Sequence, residues 1–378
     1  MYSVHQPWDP LKVCVVGRSY PPEFYSWIKV PHVRSLFERI AQETEEDFLK
    51  IISTLESFGV RVMRPDIYDL SPDLDQKLLI PPMTPRDTMI MVGDVFYKNF
   101  RSILPETYQN VCDTSWPECV SWAEFDQLPR NIQQECYSIY QFDKIRRMDH
   151  MHIQYQSILD DIAGQGNTIK QSQDFINGAE LSRIGRDLYF GTQNYFMDQT
   201  KLKQFVSQEF PKYRTHVVNT GGHSDGTYCP VCPGLIISLG DVPTYADTYP
   251  GWEVVYLPGQ SWDQVEPFTN LKKKNGGKWW IPGFEYDQSV IDTVETWLTN
   301  WVGYVEETVF DVNMLVIDPK NVMVFNYNQQ VFDALARYGI TPHVVPFRHR
   351  YFWDGGIHCV TLDLDREGQQ NDYFPSRS

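Results

Sequence analysis

The sequence predicts a five-bladed α/β propeller-like domain, and three observations carry that expectation. An amphipathic helix running into a short apolar strand recurs along the 378 residues. Five polar or small residues each open a stretch that reads as strand, turn and strand. Neither G-x-G-x-x-G nor G-x-x-x-x-G-K-[ST] occurs, which removes the main support for the rival, a doubly wound α/β sheet.

The first helix-to-strand copy runs from about Thr44, with Phe48, Ile51, Ile52 and Leu55 at helical spacing. Gly59 is placed to cap that helix before the strand-like Val60 to Pro65. The same half-unit returns at Val331 to Ile340 with His343 to Pro346, and more loosely at Phe205 to Asn219 and Gly251 to Pro258. The five opening segments are Arg86-Asp87 before Thr88 to Phe96, Asn177-Gly178-Ala179-Glu180 before Leu181 to Phe190, and His223-Ser224-Asp225 before Gly226 to Ser238. Asp311-Val312-Asn313 before Met314 to Phe325 and Gly355-Gly356-Ile357-His358-Cys359 before Val360 to Asp365 complete the set. Radial closure of such units puts the opening residues around one central site, and makes residues 1–378 a single domain despite a length that suggests two or three.

With 33 Lys+Arg against 49 Asp+Glu, the chain carries a formal charge of −16. That balance disfavours a sequence-independent nucleic-acid binder, which needs clustered cations on phosphates. It favours encounter with small cations such as guanidinium compounds without identifying them. The one short basic run, Lys272, Lys273, Lys274 with Lys278, reads as a solvated loop. No stretch approaches the roughly 20 apolar residues that span a bilayer, and no signal peptide is evident, so the expected compartment is the cytoplasm. Seven scattered cysteines then read as reduced thiols.

Among them Cys359 follows two glycines and a histidine, a context in which the backbone can approach a ligand and a neighbour can help hold a thiolate. A buried structural thiol is the competing reading. His223 and Asp225 stand two apart where a strand is expected to open, so both would face one pocket as a general acid/base and a cation-binding carboxylate. Asp87 alone reads as a turn or capping carboxylate. Cys229-Pro230-Val231-Cys232 reads as buried thiols in a β-hairpin, since a redox C-x-x-C should open a helix and a structural zinc needs two further ligands.

These ordered motifs resemble the glycine amidinotransferase family, within the guanidino-group-modifying (pentein-type) superfamily. The resemblance runs collinearly through Trp8-Asp9-Pro10-Leu11 with Val15-Val16-Gly17-Arg18, Val62-Met63-Arg64-Pro65-Asp66, Pro85-Arg86-Asp87 with Val92-Gly93, and Arg183-Ile184-Gly185-Arg186-Asp187. It continues through His223-Ser224-Asp225 with Pro233-Gly234, Val312-Asn313-Met314-Leu315 with Val322-Met323-Val324, and Gly355-Gly356-Ile357-His358-Cys359. It implies a pseudo-fivefold propeller and a ping-pong reaction that needs no cofactor or metal. Cys359 would attack the guanidinium carbon of an arginine-like donor, His223 would act as acid and then base, and Asp87 and Asp225 would hold the guanidinium. Glu180, Asn313 and His358 fall among the expected substrate-binding positions. Expected partners are small molecules, with neither nucleic acid nor membrane, and a homodimer as the assembly considered.

Two positions depart from the family pattern. Asn177 stands where the family has a catalytic carboxylate, and it cannot carry the negative charge that stabilises an imidazolium or guanidinium. Val242 aligns with the arginine that clamps the donor's carboxylate, so either the donor is not plain arginine or another cation such as Arg18 takes that role. Three functions follow: an amidinotransferase, a guanidino-compound hydrolase sharing the same covalent intermediate, and a weakened guanidino-binding pseudoenzyme.

Overall fold

The structure, a computed structural model, describes residues 1–67, 80–99, 153–172, 176–192, 199–220, 223–239, 245–257, 281–298 and 311–377. The basic run Lys272, Lys273, Lys274 and Lys278, the cysteines Cys112, Cys119 and Cys136, and Val242 lie outside the described residues.

The described strands form five three-stranded sheets. β1 (Leu11–Val16) and β2 (Arg61–Met63) share a sheet with a strand from the other end of the chain; β3 (Met89–Val92), β4 (Val95–Lys98) and β5 (Thr168–Gln171) form the second. β6 (Leu181–Ile184), β7 (Asp187–Thr192) and β8 (Arg214–Asn219) form the third, and β9 (Tyr228–Cys232), β10 (Leu235–Leu239) and β11 (Glu253–Leu257) the fourth. β12 (Leu315–Asp318), β13 (Asn321–Val324) and β14 (Thr341–Val344) form the fifth, and β15 (Thr361–Arg366) returns to pair with β1.

Every sheet has one pattern: its first two strands are antiparallel and its third is parallel to the second. A parallel third strand needs a crossover, which is where the helices sit. α1 (Pro31–Ser57) links β1 to β2, α2 (Gln156–Gly164) precedes β5, and α3 (Gln199–Glu209) precedes β8. α4 (Ser224–Thr227) is a single turn before β9, α5 (Tyr245–Thr248) precedes β11, and α6 (Gln288–Thr293) packs on α1. α7 (Gln329–Arg337) links β13 to β14, and α8 (Arg350–Trp353) precedes the Cys359 loop.

Local chemistry explains these elements. α1 starts with Pro31 at its first turn and buries Phe37, Ala41, Thr44, Phe48, Ile51 and Leu55, one stripe at steps of three and four. Gly59, at φ +77°, turns the chain out of α1 as the sequence suggested. In α7 the Asn328 side chain caps the helix by accepting from Val331 N at 3.2 Å.

The fifth opening segment differs from expectation. Val360 to Asp365 holds one strand rather than a hairpin, because its antiparallel partner is β1, with Val16 opposite Thr361. His223-Ser224-Asp225 also differs: His223 stands just before α4 and Asp225 lies within that turn, so strand alternation is not what relates the two side chains.

An ion cluster ties the sheets together. The Asp363 carboxylate on β15, 1% exposed, receives both Nη2 bonds of Arg183 at 2.9 and 2.8 Å, Arg86 Nη1 at 3.1 Å and Arg366 Nε at 2.7 Å. Arg183 sits on β6 and also reaches Met91 O on β3, while Arg366 reaches Asp9 O at 2.8 Å and Val316 O on β12 at 2.9 Å. Burial pushes the Asp363 carboxyl up, but Arg183, Arg86 and Arg366 outweigh it and hold it well below the usual carboxylate range. Its contribution to stability is therefore present above the ordinary carboxylate range and is lost as pH falls through its depressed folded value. Asp363→Ala would strand three buried guanidinium groups; the expected loss is about 3–5 kcal/mol, read as a lower urea midpoint. An unchanged midpoint would show that the cluster contributes nothing net.

Candidate active site

The shared strand pattern puts all five opening segments at one end of their sheets, where the first strands begin and the second and third strands end. Hydrogen bonds join these segments in a closed ring. Gly178 N donates to Arg86 O at 2.9 Å, Asp225 N to Ala179 O at 3.2 Å, and Asn313 Nδ2 to Asp225 O at 3.2 Å. His358 N donates to Asn313 Oδ1 at 2.7 Å, and Arg86 Nε returns to His358 O at 2.7 Å.

Cys359, 3% exposed, stands in this ring. Asn313 Nδ2 donates to its Sγ at 3.0 Å, and the thiol lies 3.5 Å from Asp225 Oδ2. The preceding loop is shaped by α8, which Trp353 Nε1 anchors to Thr44 Oγ1 of α1 at 2.8 Å, and by Asp354 in the left-handed region at φ +48°. Gly356 is needed for contact rather than conformation: a Cβ there would sit 2.1 Å from Asn313 Oδ1. Of the two glycines flagged in the sequence, Gly356 thus makes room for the amide that holds the thiol, whereas a Cβ at Gly355 would meet nothing closer than 3.4 Å.

The other described cysteines have different surroundings. Burial pushes the Cys14 and Cys229 thiols up to about 12 and Cys232 up to about 11, so all three stay protonated at neutral pH. Cys229 and Cys232 are free thiols facing β10 in the β9–β10 hairpin, as the sequence predicted.

His358 Nδ1 lies 2.8 Å from Asp225 Oδ2. Burial, together with the Arg86 charge, pushes His358 down to about 4, although Asp225 pulls the other way. At neutral pH the imidazole is therefore neutral and donates Nδ1–H to a carboxylate. Burial pushes the Asp225 carboxyl up, but the His358 hydrogen bond, together with His223 and the Arg86 charge, brings it below the usual range.

Cys359, Asn313, Asp225 and His358 are thus in direct contact, while Asp87, Asn177, Glu180 and His223 stand on the neighbouring segments of the ring. Asp87 ends the short turn Pro85–Asp87, directly after Arg86. Asn177 Oδ1 accepts from Ala179 N at 2.8 Å and Glu180 N at 2.9 Å, so the amide shapes the turn that enters β6. Glu180 is buried and its carbonyl accepts from Ser224 Oγ at 3.0 Å, tying this segment to the one that holds His223 and Asp225. Arg18 lies just past β1; Gly17 N bonds Val360 O at 2.8 Å and Arg18 N bonds Pro82 O at 2.9 Å. Burial and the neighbouring Arg64 depress the Arg18 guanidinium's pKa, and among the described residues it has no ion-pair partner. Sequence reasoning missed the Arg86, Arg183, Arg366 and Asp363 cluster. Its signal was a charged residue inside otherwise apolar strands, as in Leu181-Ser182-Arg183-Ile184.

No protein-family model matches the chain. It is 23% identical to a mitochondrial glycine amidinotransferase of Xenopus laevis over 418 aligned positions, covering 98% of this chain and 84% of the relative. It is 22% identical to inosamine-phosphate amidinotransferase 1 of Streptomyces glaucescens, with 99% of each covered. The chain resembles the glycine amidinotransferase family over its whole length. Among solved structures, SxtG, an amidinotransferase from Microseira wollei in a saxitoxin biosynthetic pathway, superposes with a TM-score of 0.60 at 16% identity, covering 99% of both chains. The amidinotransferase-like likeness therefore extends to the fold of the whole chain.

Asn313→Leu removes the donor to Sγ and the acceptor for His358 N. Iodoacetamide alkylation of Cys359 at pH 7.5 is expected to slow roughly tenfold in a folded protein, because a thiolate loses the amide donor of Asn313. An unchanged alkylation rate would remove Asn313 from the support of the thiol.

Proposed function

We propose that the chain is an amidinotransferase that moves an amidino group from an arginine-like donor to an amine acceptor through a covalent amidino-cysteine at Cys359. The observation that carries this reading is a buried thiol held by the Asn313 amide at 3.0 Å beside the Asp225 carboxylate at 3.5 Å, where five strand-opening segments meet. The relatives' amidinotransferase names support it.

In the first half-reaction the Cys359 thiolate attacks the guanidinium carbon, and the C–N bond to the donor amine breaks as His223 delivers a proton to the leaving nitrogen. In the second, the acceptor amine gives a proton to His223, attacks the amidino carbon and expels the thiolate. Asp87 and Asp225 accept guanidinium N–H bonds and aim its carbon at sulfur, with Glu180 and His358 completing the binding set. Asn177 serves as the turn-forming residue at the position of the family's carboxylate, and Arg18 takes an anionic group of the donor. Closure of the five sheets around one axis, within a single domain spanning residues 1–378, fits the ring of hydrogen bonds and a cavity of about 40 Å³ walled by β6, β9, β12, β15 and Arg86. The absence of disulfides at Cys14, Cys229, Cys232 and Cys359 fits a reducing compartment such as the cytoplasm. No described helix is long and apolar enough to cross a membrane. Small molecules are the proposed partners, and a homodimer the proposed assembly.

Mass spectrometry after incubation with arginine tests the central step: an amidino adduct on Cys359 is expected, and Cys359→Ala should abolish both adduct and turnover. Ornithine formed only when an amine acceptor is present supports transfer, whereas citrulline or urea without one establishes hydrolysis instead. No adduct with any guanidino donor would overturn both enzymatic readings. Arg18→Gln is expected to raise KM for arginine roughly tenfold while leaving agmatine, which lacks the carboxylate, unchanged. Equal effects on both donors would remove Arg18 from carboxylate recognition.

A further inference from the structure

We propose that His358 is the positioning residue of the guanidinium-binding carboxylate: its Nδ1–H holds Asp225 by Oδ2, so that Oδ1 is presented to a substrate N–H. This inference rests on the amidinotransferase reading and names how its cation site is kept charged and aimed.

The geometry is specific. The His358 backbone is fixed on both sides, by Asn313 Oδ1 on its N–H at 2.7 Å and by Arg86 Nε on its carbonyl at 2.7 Å, which sets where the imidazole points. Its Nδ1 lies 2.8 Å from Asp225 Oδ2, and Asp225 is 7% exposed. Among the described residues, Asp225 Oδ1 has no hydrogen-bond partner. A carboxylate is an acceptor only, so a buried oxygen of this kind calls for a donor.

The protonation state of the imidazole decides the effect. The charged and titratable groups that face His358 are Arg86, Asp225 and Asp363, with Cys359 adjacent in the chain. Burial and Arg86 keep the ring neutral near pH 7, so it supplies a hydrogen bond without a compensating positive charge. A protonated histidine or a lysine in its place would satisfy the Asp225 charge and compete with the guanidinium. A neutral donor orients the carboxylate and leaves its charge for the ligand. Without that donor, burial drives the Asp225 carboxyl up towards its neutral form with only His223 and Arg86 left to oppose it.

The test uses the full chain with Cys359→Ala, so that binding is read without chemistry, and calorimetric titration of arginine from pH 5 to 8. Affinity should stay nearly flat across that range when His358 is present. Adding His358→Leu should weaken arginine binding at pH 7 by about tenfold or more and move the acid limb of binding upward by at least about one pH unit, because Asp225 loses its donor. Adding His358→Asn, whose Nδ2–H can donate from a similar place, should keep affinity within about threefold and the limb where it was. The proposal falls if His358→Leu binds arginine with unchanged affinity and pH dependence, or if His358→Asn loses as much as His358→Leu in a protein whose near-ultraviolet circular dichroism is unchanged. Arginine binding absent at every pH in folded Cys359→Ala protein would overturn the guanidino reading itself, and this inference with it.

Discussion

The buried Asp363 carboxylate is the constraint on which much else depends. One negative charge receives three arginines, and each of those arginines has a second task. Arg183 reaches Met91 O on β3, Arg366 reaches Val316 O on β12, and Arg86 grips the carbonyl of His358. Charges taken out of water are stable only when paired and fully hydrogen-bonded, so the sheets are held in register by a condition none of them can meet alone. The same cluster acts electrostatically on the candidate site. Arg86 helps to keep both the His358 imidazole neutral and the Asp225 carboxyl ionised. A structural cation thus adds to burial and hydrogen bonding in deciding the protonation of the groups around the thiol.

Topology supplies the other half of the site. A pair of antiparallel strands followed by a parallel one leaves the start of the first strand and the ends of the others at a common edge. Repeated five times, this gathers Asp87, Asn177, Asp225, Asn313 and Cys359 from positions scattered along the sequence. Backbone groups take part in every link of the ring, and the side chains of Asn313 and Arg86 complete it. The single amide of Asn313 serves Cys359, Asp225 and His358 at once.

Much of this was legible in the residues. The helical stripe from Phe48 to Leu55, the turn at Gly59 and four of the five strand-turn-strand segments are local patterns, and these survive into the structure. The Cys229 and Cys232 hairpin was readable for the same reason. What escaped was long-range. That β15 pairs with β1 rather than with a following strand depends on chain ends meeting, which no window of residues reveals. Asp363 with its arginines looks like ordinary surface charge until three sheets converge on it. His223 and Asp225 read as strand neighbours because H-x-D fits alternation, whereas Ser224–Thr227 closes a helical turn in which Gly226 N bonds His223 O at 3.1 Å.

The pairing of β1 with β15 has a consequence for how the protein comes into being. The loop that carries Cys359 leads straight into β15, and β15 finds its place only beside β1, a strand far earlier in the sequence. Contacts this distant in sequence form late, after the entropy of closing a very long loop has been overcome. A partly synthesised chain can complete its local hairpins and helices but cannot assemble the thiol with Asn313 and Asp225. The candidate site is therefore among the last parts of the molecule to form, and a chain that has not come full circle holds Cys359 without the neighbours that surround it in the folded protein.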